Sequence, residues 1–543
     1  MRVRRFWGWG YEGEGPTAEQ EQRMAASLAE RFGLRDLRRV PPPTIAELTL
    51  RPPRVSPPAA LAGLCSTEAT ERAGHTYGKS WRDVTRAYAR DFRNPPDVVA
   101  FPRDEADVAA LLDWCSEAGV AAIPYGGGSS VVGGVEPAVG DGYRGVVTID
   151  LRRLDRVLEV DRASRAARIQ AGVYGPALED QLRPHGLTLR HFPQSFECST
   201  LGGWIATRSG GHYATLHTHI DEFVEGLRCV TPAGLIETRR LPGSGAGPSP
   251  DRLLLGSEGI LGVITEAWMR LQDRPRFRAA ATARFTTFTA GVAAARAVAQ
   301  SGLHPANCRL LDATEAFITG TDDGRAHLLL LAFESADHPL EAWIARAVEL
   351  ARDHGGTVED ATVSTSSDEG SGRDGTAGAW RAAFLRAPYT RDTLVGLGLI
   401  NETFETAITW DRFDALHTAV VAATEEAMRT VGAWPGLVTC RFTHVYPDGP
   451  APYFTVVAPG ADDVTARLAQ WDAIKQAASE AILAHGGTIT HHHAVGRDHR
   501  RWYDRQRPEP FAAALGAAKR AVDPAGVLNP GVLLDPQPAP AGS

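Results

Sequence analysis

The chain has 543 residues, of which 43% are hydrophobic and 22% are charged, and its formal net charge at pH 7 is −8. A chain of this length exceeds what one hydrophobic core usually organises, so we expect two or three domains. The acidic balance and the lack of a long basic run argue against nucleic acid as the main partner and favour an enzyme with a small-molecule substrate.

The six cysteines stand far apart and form no CxxC pair. This spacing argues against a disulfide framework or a zinc site and predicts free thiols in a reducing compartment, which we take to be the cytoplasm. Because no run of about 18 apolar residues occurs, we expect no membrane-spanning helix.

The predicted elements divide the chain into four parts. Residues 1–95 are expected to form an extension, with a helix over 17–39 followed by a proline-rich strap that excludes regular helix. Residues 96–275 carry short β-branched runs bounded by glycine, which predict an α+β domain. Residues 276–500 show longer helical patterns around a polar loop at 355–379, which we expect to be mobile. A helix over 463–485 precedes the C-terminal segment 501–543.

Residues 124–134 contain five glycines and two serines and follow an apolar run that is typical of a strand. Consecutive glycines after a strand allow several backbone N–H groups to point into one concavity and bind an anion, because no side chain blocks the approach. The pattern is neither the dinucleotide fingerprint nor a P-loop. A glycine-rich hairpin without a ligand is the alternative interpretation.

Three later segments, at 193–211, 256–265 and 522–534, have a similar composition and favour a ligand. Taken in order, the four segments resemble the vanillyl-alcohol-oxidase, or PCMH-type, FAD-binding flavoproteins. The resemblance implies a PCMH-type FAD-binding domain, a separate α/β cap domain for the substrate, and helical terminal segments, the last of which returns to the FAD domain. It also implies that FAD is held by Pro124, Tyr125, Gly126, Gly127, Gly128, Ser129, Ser130, Val131, Gln194, Ser195, Ser199, Thr200, Gly202, Gly203, Thr207, Ser209, Glu258, Gly259, Gly262, Val263 and Ile264.

Other stretches narrow the resemblance to the alkyldihydroxyacetonephosphate synthase family. These are "FWGWGYEGEG" near the start, "RLLD" at 309–312, the segment 390–412, "CRFTHVY" at 440–446 and "THHHAVGR" at 490–497. The resemblance implies noncovalent FAD and an exchange of an acyl ester for an alkyl ether through an adduct at flavin N5. Gln194 replaces a typical Asp, and segment 209–219 also departs from the family, so the exact substrate stays open.

His491, His492 and His493 follow a glycine pair on what we predict to be a strand. Strand alternation would send His491 and His493 to one face and His492 to the other, which argues against a single metal set, and we expect no metal. Two interpretations remain: solvent-exposed histidines, or histidines that line the flavin cavity and carry protons. The family resemblance favours the second interpretation and a catalytic role.

The resemblance also assigns an acid/base tyrosine to Tyr453, with Tyr446 as the nearby rival. It assigns substrate binding to Arg391, whose guanidinium can grip phosphate or carboxylate oxygens, although a surface or helix-capping charge is the alternative. Arg309 and Arg441 are weaker candidates for substrate binding, and a structural role is the favoured alternative for both.

Three functions are therefore considered: the ester-to-ether transferase, an FAD-dependent oxidase or dehydrogenase of an alcohol or 2-hydroxy acid, and a flavin-binding protein without turnover. Covalent attachment of FAD through His191 or His212 is a further alternative to noncovalent binding. We expect a small-molecule or lipid substrate, at most peripheral membrane contact, and a homodimer.

Overall fold

The computed structural model describes residues 3–34, 37, 39–359, 362–366 and 376–536, without the side chains of 376–383 and 385. Its N-terminal segment contains three helices: α1 (Ala18–Phe32), α2 (Ala69–Gly74) and α3 (Trp81–Tyr88). The predicted helix over 17–39 begins at a capping box formed by Thr17 and Gln20 but ends early. Its end is set by Gly33, whose left-handed φ of 64° closes the helix.

The first domain contains two sheets. A four-stranded sheet is formed by β1 (Cys65–Ser66), β2 (Val98–Ala100), β3 (Val120–Tyr125) and β4 (Gly145–Asp150), in the order β1-β2-β4-β3. Helix α4 (Glu105–Ala118) connects β2 to β3, and both of these strands run parallel to β4. The remaining elements of this domain are β5 (Val157–Asp161), β6 (Ala166–Gln170), α5 (Gly175–Leu182), β7 (Leu187–Thr188), α6 (Leu201–Thr207), β8 (Val224–Thr231), β9 (Gly234–Glu237), α7 (Pro250–Leu254), β10 (Val263–Arg270) and β11 (Gln272–Asp273). Strands β5, β6, β10, β8 and β9 form an antiparallel sheet in that order.

The second domain is built on a seven-stranded antiparallel sheet with the order β15-β12-β14-β13-β17-β18-β16. Its elements are β12 (Phe277–Phe285), α8 (Phe288–Gln300), β13 (Asn307–Leu311), α9 (Ala313–Ile318), β14 (His327–Ser335), α10 (Glu341–Asp353), β15 (Ser364–Ser366), α11 (Thr376–Gly396), β16 (Leu399–Glu405), α12 (Trp410–Thr430), β17 (Leu437–Val445), β18 (Pro450–Pro459) and α13 (Val464–Ala484). The helix predicted over 463–485 is confirmed as α13, with Asp463 as its N-cap.

The loop predicted at 355–379 is interrupted in two places. Residues 364–366 pair with the edge strand β12 at Arg278–Ala280, and helix α11 already begins at Thr376. The edge of β12 offers unpaired backbone groups to the short strand, and the alanine-rich sequence after 375 favours helix. Residues 360, 361 and 367–375 of the expected loop lie outside the described residues.

The C-terminal helices α14 (Arg500–Gln506) and α15 (Glu509–Val522) bring the chain back to the first domain. There the backbone of Ala122 on β3 exchanges hydrogen bonds with Val527 (2.8 Å) and Asn529 (2.9 Å). The two domains keep separate hydrophobic cores, and Val527 and Leu528 belong to the core of the first. The return of the chain therefore adds a strand-like segment beside the strand that leads into the glycine-rich stretch.

Two further findings concern the cysteines and the helices. All six cysteines, each inside the described ranges, are free thiols. Among the described residues, no helix combines the length and the apolar character needed to span a bilayer.

Candidate functional site

A cavity of about 610 Å³ is lined by both domains and collects most of the residues singled out from the sequence. From the first domain its walls include Pro124, Tyr125, Gly126, Gly127, Gly128, Ser129, Ser130, Val131, Gln194, Ser195, Thr200, Gly202, Gly203, Thr207, Ser209, Glu258, Gly259, Gly262, Val263 and Ile264. From the second domain they include Arg309, Arg391, Tyr453, His492 and His493. The segments that the sequence separates by hundreds of residues thus meet around one space.

Two candidate residues do not line this cavity. Ser199 instead accepts a hydrogen bond from the indole of Trp204 (2.7 Å) and supports the segment from behind. His491 lies one layer further out, between His492 and Tyr446. Membership in a sequence motif therefore does not show whether a residue lines the cavity or supports the motif from behind.

The glycine-rich stretch 124–134, which we call the cofactor loop, leaves β3 and packs against the segment 198–203. A Cβ atom added at Gly127 would lie 2.0 Å from the carbonyl oxygen of Cys198, and one at Gly126 would lie 2.2 Å from the hydroxyl of Thr200. Gly128 adopts a φ of 64°, in the left-handed region. Glycine is therefore needed here for close approach of two backbone segments and for one left-handed residue.

The N-terminal segment fixes the outer side of the cofactor loop. Arg4 donates to the carbonyl oxygen of Gly127, and the backbone N–H of Lys79 donates to that of Ser130 (2.6 Å). The loop carbonyls are thus occupied on the side away from the cavity. Toward the cavity, the buried hydroxyl of Thr200 has no hydrogen-bond partner among the described residues.

These observations fit the FAD that the sequence resemblance implies. Glycines that line the cavity without side chains, together with the unpaired Thr200 hydroxyl, offer backbone and hydroxyl donors for a diphosphate. The sequence interpretation of the loop as an anion-binding turn, rather than a hairpin without a ligand, agrees with this geometry.

Asn529 and Glu258 join the remaining segments to the loop. The side-chain amide of Asn529 donates to the carbonyl oxygens of Gly134 (3.0 Å) and Glu258 (2.7 Å). The carboxylate of Glu258 accepts the backbone N–H groups of Val495 (2.9 Å) and Gly496 (2.8 Å). Burial raises the pKa of Glu258 to about 7, although the two N–H groups oppose the shift. One amide and one carboxyl group therefore hold the third and fourth segments and the histidine stretch together.

Residues 490–493, which we call the histidine bend, are not a strand, so that prediction is wrong. The backbone N–H groups of His491 (2.7 Å), His492 (3.1 Å) and His493 (2.9 Å) all donate to the carboxylate of Glu405, at the end of β16. Convergence of consecutive N–H groups on one acceptor curls the chain and removes the alternation that a strand would impose. Burial alone would raise the pKa of Glu405, but His492 and His493 hold it well below its usual value.

As a result, the expected separation of the histidines is also wrong. The Nδ1 atoms of His491 and His492 lie 3.0 Å apart, and ring nitrogens of His444, His491 and His492 all lie within 4.8 Å of one another. The argument from strand alternation against a shared metal ion therefore no longer applies. His444, which lines the cavity, was part of a quoted motif but was not singled out, because nothing in the sequence shows that β17 brings it to the bend.

Tyr453 lies on β18 opposite Arg441 of β17, and both side chains line the cavity. The guanidinium of Arg441 sits 3.9 Å from the centre of the Tyr453 ring and forms an ion pair with Glu315. Tyr453 also faces the rings of His492 and His493, with centroid separations of 6.1 and 5.4 Å. Arg441 thus brings a positive charge to the phenol, a role that the sequence did not reveal because it depends on strand pairing.

The other arginines approach from different elements. Arg391, on α11, donates to the hydroxyl of Thr403 (3.2 Å), and Arg309, on β13, donates to the carbonyl oxygen of His212 (2.6 Å). Burial, with Arg441 nearby, lowers the pKa of Arg309 well below its usual value. Gln194 reaches the carbonyl of Phe384 on α11 (3.2 Å), so its amide contacts the same helix as Arg391.

A second part of the cavity wall is apolar and approaches helix α1. It is formed by Met24, Leu28, Ile318, Leu394, Leu437 and Val457. This region, which we call the apolar branch, lines the same cavity as the polar residues described above. The cavity can therefore accept a ligand that has both a polar head and a hydrocarbon chain.

His191 and His212, the candidates for covalent attachment of FAD, are not among the residues that line the cavity. His191 is buried beneath Ser209, at 3.3 Å from its hydroxyl, and burial lowers the pKa of His191 to about 3. Its ring packs against Trp204 and Phe223. These contacts are those of a core histidine.

Comparison with known proteins identifies two family models in the chain. An FAD binding domain matches residues 96–239, and the C-terminal domain of FAD linked oxidases matches residues 274–533. The chain is 30% identical over 489 residues to an alkyldihydroxyacetonephosphate synthase of Trypanosoma brucei brucei, covering 87% of this chain and 78% of that protein.

A D-2-hydroxyglutarate dehydrogenase of Xanthomonas citri pv. viticola is 27% identical, covering 86% of this chain and 93% of that protein. Among solved structures, an alkyldihydroxyacetonephosphate synthase superposes with a TM-score of 0.79 at 25% identity, covering 97% of this chain and 98% of the other. The predicted fold class, an α+β FAD-binding domain with a second domain, is confirmed by this match and by the FAD binding domain model.

Proposed function

The chain belongs to the alkyldihydroxyacetonephosphate synthase family of FAD-dependent enzymes, and we propose that it replaces the acyl chain of an acyl dihydroxyacetone phosphate by a fatty alcohol. The observation that carries this proposal is the composition of the cavity. Its glycine cradle, its arginines, its tyrosine and histidines, and the apolar branch all open into one space. A small hydrophilic substrate would make no use of the apolar branch.

FAD would be held by the cofactor loop and by segments 194–209 and 258–264, whose glycines line the cavity with backbone groups that could face the diphosphate. When bound, FAD supplies the isoalloxazine ring on which the exchange takes place. We propose that it is bound noncovalently, because His191 and His212 are not cavity residues. Denaturing the yellow protein should then release all flavin into the supernatant.

Tyr453 is proposed as the group that takes up and returns a proton, at its phenolic oxygen. Arg441 holds a positive charge 3.9 Å from the centre of the Tyr453 ring, where it would favour negative charge on the phenolic oxygen during proton transfer. Glu315, paired with Arg441, fixes the guanidinium in place. His492 and His493 border the same space and complete the proton-carrying surface.

Arg391 and Arg309 are proposed to bind the phosphate of the substrate, because guanidinium groups offer paired donors to phosphate oxygens. Arg391 uses one nitrogen for Thr403, which orients the group. The hydrocarbon chain of the ester, and later that of the alcohol, would occupy the apolar branch between α1 and β18.

The test is incubation of the FAD-loaded protein with an acyl dihydroxyacetone phosphate and a fatty alcohol labelled at its oxygen. The expected products are a fatty acid and an ether that retains the label, in equal amounts. The Arg391→Gln variant should lose most of this activity, whereas Arg346→Gln, on the exposed face of α10, should keep it. Absence of ether from a fully flavin-loaded wild type would overturn the proposal.

The second candidate function is oxidation of an alcohol or 2-hydroxy acid by the same site. The similarity to a D-2-hydroxyglutarate dehydrogenase over 86% of this chain supports it, although that identity is lower than for the synthases. Lasting loss of the flavin absorbance when a hydroxy acid is added without oxygen would favour this function. A transferase returns its flavin to the oxidised state in each cycle and would show no lasting loss.

We also propose a cytoplasmic enzyme that acts as a homodimer and contacts membranes only peripherally. The free state of all six cysteines supports a reducing compartment. A twofold homodimer is the commonest assembly of soluble enzymes. Mass measurement by light scattering and sedimentation with lipid vesicles would test the last two points.

A further inference from the structure

A row of hydrogen-bonded side chains leads from the cavity wall toward the outside of the second domain. His492 lines the cavity, and its Nδ1 lies 3.0 Å from Nδ1 of His491. The other ring nitrogen of His491 lies 2.7 Å from the hydroxyl of Tyr446, which in turn lies 3.1 Å from the hydroxyl of Thr218. Tyr446 is partly exposed, whereas Thr218 is buried, so the row reaches solvent at Tyr446 and not at Thr218.

The chemistry of the groups gives the row a direction. His219 places Nδ1 at 3.0 Å from the carbonyl oxygen of Arg208, so that nitrogen carries a hydrogen and the lone pair is on Nε2. This lone pair faces Nε2 of His491 at 3.1 Å. A hydrogen on Nε2 of His491 therefore has two acceptors, Tyr446 and His219, and the remaining nitrogen of His491 can accept from His492.

The histidine bend keeps this row in position. Glu405 accepts the backbone N–H groups of His491, His492 and His493, and its carboxylate also lies 3.3 Å from Nδ1 of His492. The hydrogen on that nitrogen therefore has two neighbours, the carboxylate of Glu405 and, at 3.0 Å, Nδ1 of His491. Burial and the neighbouring imidazoles hold the pKa of His491 well below its usual value. A neutral imidazole offers one donor and one acceptor, which is what passage of a proton through the ring requires.

We propose that His492, His491 and Tyr446 form a proton relay between the flavin cavity and solvent, with His219 as a second acceptor from His491. A proton taken up by His492 from the cavity displaces its Nδ1 hydrogen to Nδ1 of His491. The Nε2 hydrogen of His491 then passes to Tyr446, whose own hydroxyl hydrogen leaves toward Thr218 or water. Each group ends with as many protons as it had at the start.

The need for a relay rests on the proposed function, because the proposed reaction releases a proton. Conversion of an ester and an alcohol into an ether and a carboxylate releases one proton, and oxidation of an alcohol also releases one. Either proton starts in a largely buried cavity. The relay also gives a use to Tyr446 and His491, which do not line that cavity although they belong to the motifs of the sequence.

A shared metal ion on His444, His491 and His492 is the rival explanation for the cluster. Both nitrogens of His491 already lie at hydrogen-bond distance from side chains, at 3.0 and 2.7 Å. A metal ligand must give one nitrogen lone pair to the ion, which would break the row at that point. The distances favour the relay, and the experiment below includes a metal arm.

The experiment follows proton uptake when the bound FAD is photochemically reduced, in weakly buffered solution with a pH indicator. Reduction of a flavin by two electrons consumes a proton, and no substrate is needed. In the Tyr446→Phe variant, uptake should slow by on the order of tenfold or more. The control is Tyr143→Phe, which removes a buried hydroxyl bonded to the carbonyl oxygen of Gly526 (2.8 Å) in the first domain; its uptake rate should match the wild type.

A second variant, His491→Asn, covers the case in which Tyr446→Phe folds poorly. If both residues act in one relay, the double variant should be no slower than the slower single variant. The relay would be overturned if both single variants took up protons at the wild-type rate. It would also be overturned if a chelator slowed proton uptake by the wild type and added zinc restored the rate. The ether assay is run separately: slow uptake in the variants without any wild-type ether would reject the proposed function and keep the relay.

Discussion

The cofactor loop and the polar wall formed by Tyr453, Arg441 and the histidine bend border the same cavity, yet they are built in different ways. The loop works through backbone groups. Its backbone packs so closely on the neighbouring segment that a Cβ atom at Gly127 would lie 2.0 Å from the carbonyl oxygen of Cys198. The wall works through side chains that strands β16, β17 and β18 bring together. A backbone site tolerates few residue types, whereas a side-chain site depends on partners far away in the sequence.

The largest effect is expected from Tyr453→Phe, which changes the wall and leaves the loop intact. Loss of one proton-transferring group typically lowers a rate by about 10² to 10⁴. We expect such a loss in ether formation while flavin absorbance per protein stays at the wild-type level. Tyr143→Phe is the matched control, and a Tyr453→Phe enzyme with more than a third of wild-type turnover would remove Tyr453 from the proposed role.

Gly127→Ala is expected to do the opposite, because it changes the loop without touching the wall. The added methyl group has no space beside Cys198, and overpacking of this kind costs about 1 to 3 kcal/mol. FAD should therefore dissociate about 5 to 150 times more readily, as measured by fluorescence of released flavin. Gly142→Ala, where a Cβ meets nothing within 4 Å, should bind FAD normally. Equal affinity in both variants would mean that the cradle is not the cofactor site.

Asp392, on α11, is linked to the cofactor loop through Trp9 and Lys79, and its replacement tests that link through pH. Its carboxylate accepts the N–H of Trp9 (2.8 Å), whose indole donates to the carbonyl of Lys79, next to the cofactor loop. Burial raises the pKa of Asp392 to about 7, above its ordinary value of about 3.9. The stability contribution is therefore complete below about pH 4 and is lost as the pH rises to 7, when the carboxyl must ionise in the folded state.

For Asp392→Asn we expect the free energy of unfolding to lose this pH dependence. Each unit of pKa difference corresponds to about 1.4 kcal/mol, so the variant should gain at least that amount relative to the wild type between pH 4 and 8. Thermal unfolding across this pH range is the measurement. A wild type and a variant with parallel profiles would show that Asp392 ionises as easily in the folded protein as in the unfolded chain.

The smallest effect is expected from Leu28→Ala in the apolar branch, which belongs to neither region. The change removes three carbon atoms from a partly exposed side chain, and the loss of contact equivalent to one methylene, about 0.8 kcal/mol, corresponds to about a fourfold change in affinity. We therefore expect a several-fold increase in KM for long-chain alcohols and no change for short ones. Leu253→Ala, at an exposed position, serves as the control. An equal effect on short and long alcohols would place the hydrocarbon chain elsewhere.

The contrast between loop and wall also explains what the sequence allowed us to predict. Glycine-rich segments, the helix α13 and the free cysteines are local signals, and they agree with the structure. The strand predicted at the histidines failed because Glu405, 86 positions away from His491, captures its backbone N–H. A local pattern cannot reveal a partner at that distance.

Arg441 illustrates the same limit. Nothing in the sequence around Arg441 indicates that it lies beside Tyr453. Only the register of β17 against β18 places the two residues opposite each other. Ser199 shows a related limit: its motif predicts contact with the cofactor, whereas its hydroxyl accepts a hydrogen bond from Trp204 and does not line the cavity. Side-chain roles at this site are decided by tertiary pairing, which periodicity and composition do not encode.

Asn529 reaches back across 395 positions to the carbonyl of Gly134. While a ribosome is still making the second domain, the growing polypeptide lacks the residue that closes the glycine turn, and the strand-like partner of Ala122 is missing as well. Contacts between such distant positions form late. We therefore expect FAD to be taken up only after the ribosome has released the completed polypeptide.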